Sequence, residues 1–458
     1  MTAHRDAQLP YCVIGAGPSG LAALKNLQER GIASIGFERE DDVGGNWYYG
    51  RPCSSVCQST HLISSKRMTE FLDHPMPRDY PPYPSHAQAL DYLRSYAVRF
   101  RLYDRLRFRT TVTHIEPTPD GLWRVATEGG AAPQLFRGVV IANGHHWDPV
   151  WPELPGEFRG ERRHAREYKT PEILRGKRVL VIGAGNSGCD IAVEAALNAD
   201  AAFLSLRRGY HFLPKFLLGT PIDSGGEWLR RRGCPLWLIR LWTRLLVRVA
   251  LGRPDRYGLP KPDHGLFQTH PIVNSQLLYQ VGHGRIQVRS GVESCQGDRV
   301  RFTDGREERI DLIICATGYR VSLPFLPPSV VESVHDIPQL YLHAFHPRLD
   351  NLFVAGMIQP NSGLWPLSDY QTRVMAAFIA AQERDPATAD WFRQVKAQPN
   401  PDLACGLHFD SSPRHRIEVE YYSYRERLKR LLARFERNLP PEPIPLSETA
   451  PCFLPAQA

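Results

Sequence analysis

The chain has no Cys-x-x-Cys pair, so a zinc ribbon has no ligand spacing to build on, and no metal site is expected. Its nine cysteines are scattered. Cys12, Cys189 and Cys315 sit inside apolar runs, the usage of free thiols in a reducing compartment rather than of a secreted disulfide framework. The opening MTAHRDAQLP lacks a signal peptide's apolar stretch, and a cytoplasmic location is expected. An uninterrupted apolar run of membrane-spanning length is missing too. The nearest stretch, CPLWLIRLWTRLLVRVALG at 234–252, carries three arginines. Arg240, Arg244 and Arg248 recur every four residues, beside an apolar stripe of Trp237, Leu241, Leu245 and Val249. The expectation is a helix docked on the protein's own core with its arginines outward. An interfacial helix in weak contact with a membrane surface is the alternative.

What is present points to nucleotide chemistry. At 458 residues the chain is too long for one ordinary core, so it holds two domains or one domain split by an insertion. Hydrophobic content of 42% with 23% charged residues is globular. The formal charge of +8 is spread along the chain apart from short clusters such as 230–232. That reads as a solvated surface with local pockets for anionic cofactors, not as a nucleic-acid binder.

YCVIGAGPSGLAAL runs from an apolar strand at Tyr11 into Gly15-x-Gly17-x-x-Gly20 and then a helical pattern, with Pro18 and Ser19 inside the turn. The first glycine permits the tight turn and the second lets backbone approach a pyrophosphate. The third allows helix and strand to pack closely, with the helix N-terminus facing the phosphates. A second apolar run ends in Glu38, placed to accept hydrogen bonds from ribose hydroxyls. RVLVIGAGNSGCDIAVEAA repeats the pattern with Gly183, Gly185, Asn186, Ser187 and Gly188. The strand after it ends in Ser205, Arg207 and Arg208, where guanidinium groups grip a 2′-phosphate that a carboxylate would repel. The first site therefore takes a plain ribose and the second takes NADPH over NADH.

Two dinucleotide sites imply electron traffic between two cofactors. Gly44 and Gly45, with Asn46 and Trp47, follow the acidic residue as in flavin domains of the glutathione-reductase type, which makes FAD the first cofactor. The strand–glycine turns at Gly318 and Gly356 are expected to bring backbone close to the flavin, with Gln371 on the helix that follows.

In this order the motifs resemble the flavin-containing monooxygenases, the class B flavoprotein monooxygenases. Phe158-x-Gly160-xxx-His164-xxx-Tyr168-Lys169 matches that family's fingerprint FxGxxxHxxxYK, and the related Baeyer–Villiger enzymes carry Trp in place of Tyr168. GGNW, SSKRM, DHPMPRDYP, HPIVN, ATGY and WPLSDYQTR extend the similarity from Tyr11 to about Arg373, with Asp369 where the family usually has Glu. The resemblance implies an α/β fold of two Rossmann-like domains, the NADPH domain inserted into the FAD domain. The FAD domain is expected over 8–155 and 312–440, and the NADPH domain over 156–311. The proline-rich stretch at 441–458 reads as an extended or disordered tail. The fingerprint is then expected to be a hinge between the domains.

The resemblance also implies the reaction. NADPH reduces FAD, O2 adds at the flavin C4a, and the hydroperoxide oxygenates a small nucleophilic nitrogen or sulfur compound. One departure stands out. The family commonly carries Asn just before SSK, and this chain has Ile63, followed by Ser64. Either His61 or Thr60 supplies a polar contact there, or the enzyme leaks hydrogen peroxide. Baeyer–Villiger oxygenation, NADPH oxidase activity, a disulfide reductase using Cys53 and Cys57, and a non-catalytic redox sensor stay open, as does a homodimer.

Overall fold

The computed structural model describes residues 9–270, 272–335, 337–407 and 416–441, so the tail expected at 441–458 lies, beyond its first residue, outside the described residues. The chain divides into two compact units. One comprises the chain through Ser54, Lys66–His145 and Val321 onward; the other comprises Ser55–Ser65 and His146–Arg320.

The first unit is built on five parallel strands in the order Leu352–Val354, Gly138–Ile141, Tyr11–Ile14, Ser34–Phe37 and Leu106–Arg107. Tyr11–Ile14 and Gly138–Ile141 are buried at every position, as strands covered on both faces must be. Cys12, Ile14, Val139 and Ile141 pack with Ile115, Trp123, Val125 and Phe136 of a three-stranded antiparallel sheet. Helix Pro18–Gln28 packs against Trp365–Arg384, which in turn packs against Tyr421–Glu436.

The second unit repeats the plan. Its parallel sheet runs Glu161–His164, Leu312–Cys315, Arg178–Ile182, Ala201–Ser205 and Ile286–Arg289. Side chains alternate across it. Val179, Val181, Leu312 and Ile314 join the core formed with helix Asn186–Asn198, while Leu180, Ile313 and Cys315 pack with Val300 and Phe302 of a small mixed sheet. In both units the glycine-fingerprint strand is the third of five.

Three expectations change. The compact units divide at different places from the boundaries read in the sequence: 55–65, 146–155 and 312–320 go with the second unit. The strand Leu312–Cys315 lies between Glu161–His164 and Arg178–Ile182, which commits it to that sheet by its backbone hydrogen bonds. The fingerprint is not a free connector either. Gly156–Phe158 pairs in parallel with Val292–Gly297, and Glu161–His164 is the edge strand of the second sheet. Its charged residues hid that strand, because an edge strand tolerates side chains that a central one would not.

The third change concerns helix Leu236–Leu251. It docks through Ile239 and Val247, and its apolar stripe faces outward: Trp237, Leu241, Leu245 and Val249 are 65%, 53%, 52% and 77% exposed. Leucine, valine and tryptophan cover so much of this helix's circumference that one apolar face meets the core while a second is left over.

Candidate functional site

The first cradle is assembled where strand Tyr11–Ile14 turns into helix Pro18–Gln28. Gly15 has φ +100°, and a Cβ there would stand 2.7 Å from the Ala142 carbonyl oxygen. A Cβ on Gly20 would lie 1.9 Å from the Gly15 oxygen, so helix and strand meet at a distance only hydrogen allows. Gly45 packs as tightly: its Cβ would meet the Gly17 Cα at 2.9 Å, and the Gly44 amide donates to the Ala16 oxygen at 3.0 Å. The helix begins with Gly17 as its cap and Pro18 in its first turn, and no side chain caps it. Its first amides are left for an anion.

Glu38 is buried, and its carboxylate accepts from the Ala16 amide at 2.6 Å and the Glu40 amide at 3.0 Å. Burial raises its pKa above the usual glutamate range, with those two amides opposing the shift. The remaining lone pairs of a carboxylate held at the end of the second strand suit ribose hydroxyls. Asn46 and Trp47 follow in a short 3-10 turn, with the Trp47 ring edge-on to Trp365 at 5.9 Å.

Gly356 closes the same region, since its Cβ would meet the Ser19 hydroxyl at 2.1 Å. Gln371 is fully buried behind it. Its carbonyl accepts from the Gly356 amide at 2.9 Å, and its amide donates to Tyr424 at 2.7 Å. Gln371 therefore fixes the glycine turn through its backbone. Gly318, read from the sequence as flavin-adjacent, follows the strand that flanks the second fingerprint and belongs to the second unit. The wall at the corresponding place in the first cradle is Ala142, which the sequence reading passed over. The signal was there: VVIANG repeats the strand–Ala–x–Gly order of IICATG.

The second cradle repeats these contacts. Gly183 has φ +101°, and its Cβ would lie 2.6 Å from the Ala316 oxygen; that of Gly188 would lie 2.1 Å from the Gly183 oxygen. Gly185 caps helix Asn186–Asn198 without a side-chain bond. The Asn186 side chain accepts from the Val273 amide at 2.8 Å, tying in the HPIVN segment, and Ser187 is exposed in the first turn. Ser205 is turned into the sheet, donating its hydroxyl to the Ser290 carbonyl at 2.7 Å. Arg207 is exposed, and Arg208 is half-buried with its guanidinium 5.6 Å from the Tyr210 ring centre.

In the fingerprint, Phe158 packs on the small-sheet core, and a Cβ on Gly160 would meet the Phe158 ring at 2.4 Å and the Asp311 oxygen at 2.6 Å. Gly160 is thus required for close packing, not for bending. His164 is buried edge-on to Tyr319 at 5.2 Å, and burial lowers its pKa. Tyr168 is fully buried and donates to Glu194, and the Lys169 ammonium donates to the Val56 carbonyl at 3.2 Å.

The departure at Ile63 lies on 55–65. Ile63 is exposed, the His61 ring bonds the Ser59 carbonyl at 2.7 Å, and the Thr60 hydroxyl accepts from the Cys57 amide at 2.9 Å. His61 and Thr60 are engaged within their own segment. Cys53 is a free, buried thiol whose pKa burial pushes up to about 12, the wrong direction for a dithiol redox centre.

Residues 10–434 match the family model for flavin-binding monooxygenase-like proteins. The chain belongs to the flavin-containing monooxygenase family. This monooxygenase is 35% identical over 453 residues to flavin-containing monooxygenase 5 of Rattus norvegicus, covering 93% of this chain and 83% of the relative. It is 36% identical over 384 residues to dimethylaniline monooxygenase [N-oxide-forming] 2 of Pan troglodytes, covering 79% and 71%. Its fold is similar to that of S-allyl-L-cysteine S-oxygenase from Allium sativum, with TM-score 0.65 at 21% identity over 93% of this chain and 88% of that one. As a family member it is an NADPH-dependent oxidoreductase that uses FAD and NADPH. The glycine cradles and uncapped helix N-termini described above fit two pyrophosphate-bearing cofactors.

Proposed function

We propose that this monooxygenase transfers one oxygen atom from O2 to a soft nucleophilic nitrogen or sulfur of a small molecule, with NADPH as reductant. Bound FAD supplies the oxygen chemistry; the chain's own residues bind, orient and shield. In this reading the first unit is the FAD domain, with Glu38 on its ribose, and the second is the inserted NADPH domain, with Arg207 and Arg208 on the 2′-phosphate. No acid–base pair is called on.

Tyr168 carries the choice of nitrogen or sulfur over ketone oxygenation. It stands where Baeyer–Villiger relatives have Trp, and its hydroxyl is committed to Glu194. The name of the Pan troglodytes relative, which records N-oxide formation, points the same way. The test is product formed per NADPH consumed, with a tertiary amine, a thioether and a ketone in parallel. Oxide products approaching one per NADPH are expected from the first two. Ester from the ketone with neither oxide would sink the reading.

For partners we infer a cytoplasmic protein in weak contact with an anionic membrane surface. No helix among the described residues is long and apolar enough to cross a membrane. The outward stripe of helix Leu236–Leu251 is joined by Trp242 and Trp228, both about half exposed. Between residues 228 and 254 there are seven arginines and no acidic side chain. Apolar rings beside guanidinium groups match the acyl boundary and phosphates of an anionic bilayer. In vesicle sedimentation the protein should pellet with phosphatidylglycerol-containing vesicles and not with pure phosphatidylcholine. Arg244→Glu with Arg248→Glu should release it. Equal binding to both vesicles, or self-association without vesicle binding, would contradict this.

A further inference from the structure

Residues Ser55–Ser65 contain no helix or strand, yet they cluster with the second unit and are fastened to it in two places. At one end the Gln58 amide donates to the Lys169 carbonyl at 2.8 Å, and the Lys169 ammonium returns a bond to the Val56 carbonyl at 3.2 Å. Next to them, Glu194 accepts two hydroxyls at once: Ser59 donates to one carboxylate oxygen and Tyr168 to the other. At the far end the Ser65 amide donates to the Asp223 carboxylate at 2.7 Å, in the first turn of helix Ile222–Arg231. Ile63 lies between the two fastenings.

The chemistry of the Glu194 contact is specific. A carboxylate offers two acceptor oxygens, so it takes both hydroxyls in charge-assisted bonds; an amide offers only one acceptor oxygen. Burial, with Glu194 next to it, drives the ionisation of Tyr168 far above the ordinary phenol range. Tyr168 therefore stays a donor at every working pH. Glu194 sits on helix Asn186–Asn198, the helix whose N-terminus forms the second cradle. The contact thus joins three parts: the cradle helix, the fingerprint and the 55–65 strap.

We propose that Glu194 and the fingerprint pair Tyr168 and Lys169 form a clamp that fixes the 55–65 strap on the NADPH-cradle helix, making them positioning residues for the strap that carries Ile63. The fingerprint's last two positions then hold a strap, where the sequence suggested a hinge. The clamp stands on contacts within the second unit. Only its kinetic consequence, tight coupling of NADPH oxidation to oxygenation, rests on the proposed function.

The test uses the flavin-loaded enzyme and two variants. Ser59→Ala removes the exposed strap-side hydroxyl and leaves the buried Tyr168–Glu194 bond in place. Glu194→Gln leaves one acceptor oxygen for two hydroxyl donors. Hydrogen exchange of the amides at 55–65 should quicken about tenfold in both, the loss of roughly one charge-assisted bond, while strands Arg178–Ile182 and Ala201–Ser205 keep their protection. The share of NADPH electrons recovered as hydrogen peroxide should rise in the same variants. Unchanged strap exchange would overturn the clamp. Equal loosening of strap and strands would reduce Glu194 to a general prop. A loosened strap with unchanged coupling would overturn the positioning role. Failure of the wild type to oxygenate any substrate would instead strike the proposed function.

Discussion

Replacing Asp369 by Ala is expected to destabilise the first unit by about 3–5 kcal/mol, the range for removing one member of a buried ion cluster. Asp369 is fully buried on helix Trp365–Arg384. Its carboxylate lies 3.3 Å from the Lys25 ammonium and 2.8 Å from the Arg373 guanidinium, and accepts from Asn26 at 2.9 Å. Asp73 is paired to both Lys25 and Arg373, and Glu29 lies 3.5 Å from the Lys25 ammonium. Lys25 and Asn26 belong to the first cradle helix, so the cluster is what locks that helix to its neighbour.

Burial works against the charge on Asp369, yet Lys25 and Arg373 hold its pKa below the ordinary aspartate value. A depressed carboxyl pKa adds stability above the unfolded-state value near 3.8 and loses it as pH falls through the folded value. The cluster therefore contributes fully at neutral pH and fails only in strong acid. Asp369→Glu, the residue usual in the family, keeps the charge and should cost about 1 kcal/mol for one added methylene. Lys25→Met with Asp369→Leu should recover much of the Ala variant's loss, since apolar packing replaces buried ions well. Denaturant unfolding of the flavin-loaded protein measures all three. A loss under 1 kcal/mol for Asp369→Ala would show that the cluster does not hold the helices together.

Glu38→Ala should loosen the protein's hold on its flavin. The side chain fixes the Ala16 and Glu40 amides and is a buried carboxylate directly after the second strand. Losing one charge-assisted bond of roughly 1.5–3 kcal/mol corresponds to roughly tenfold to a hundredfold weaker FAD binding. Acid should mimic the mutation. Because burial raises the Glu38 pKa above 4.5, the carboxylate is neutralised at a higher pH than an exposed glutamate, and flavin release should begin above that value. Equilibrium dialysis of FAD against wild type and variant, repeated down the pH scale, reads both effects. Equal affinity in the two proteins would remove Glu38 from the site.

Much of this was legible in the sequence because the relevant signals are local. A glycine whose Cβ would strike a carbonyl leaves a fixed spacing, and both fingerprints show it, together with the acidic and basic strand ends after them. Signals that depend on a partner element were not legible. The charged run ERRH reads as linker until Leu312–Cys315 lies beside it, and the spacing before Gly318 does not show that its strand pairs with the second fingerprint strand. The bond from the Ser205 hydroxyl to the Ser290 carbonyl likewise has no sequence signal. Glu194 gave no sign at all, since its two hydroxyl partners come from residues 26 and 135 positions away. The helix at 236–251 misled for another reason: periodicity finds an apolar stripe but does not say which of two apolar faces turns inward.

Anaerobic mixing of the purified protein with NADPH or NADH, followed in the visible flavin band, weighs the two-cradle arrangement as a whole. The wild type should arrive yellow and bleach with one equivalent of NADPH, with NADH roughly a hundredfold less efficient, about the discrimination of a paired guanidinium–phosphate contact. Arg207→Ser with Arg208→Ser should bring the two reductants close to parity. A colourless protein that FAD does not restore, or a wild type that bleaches equally well with NADH, would contradict it.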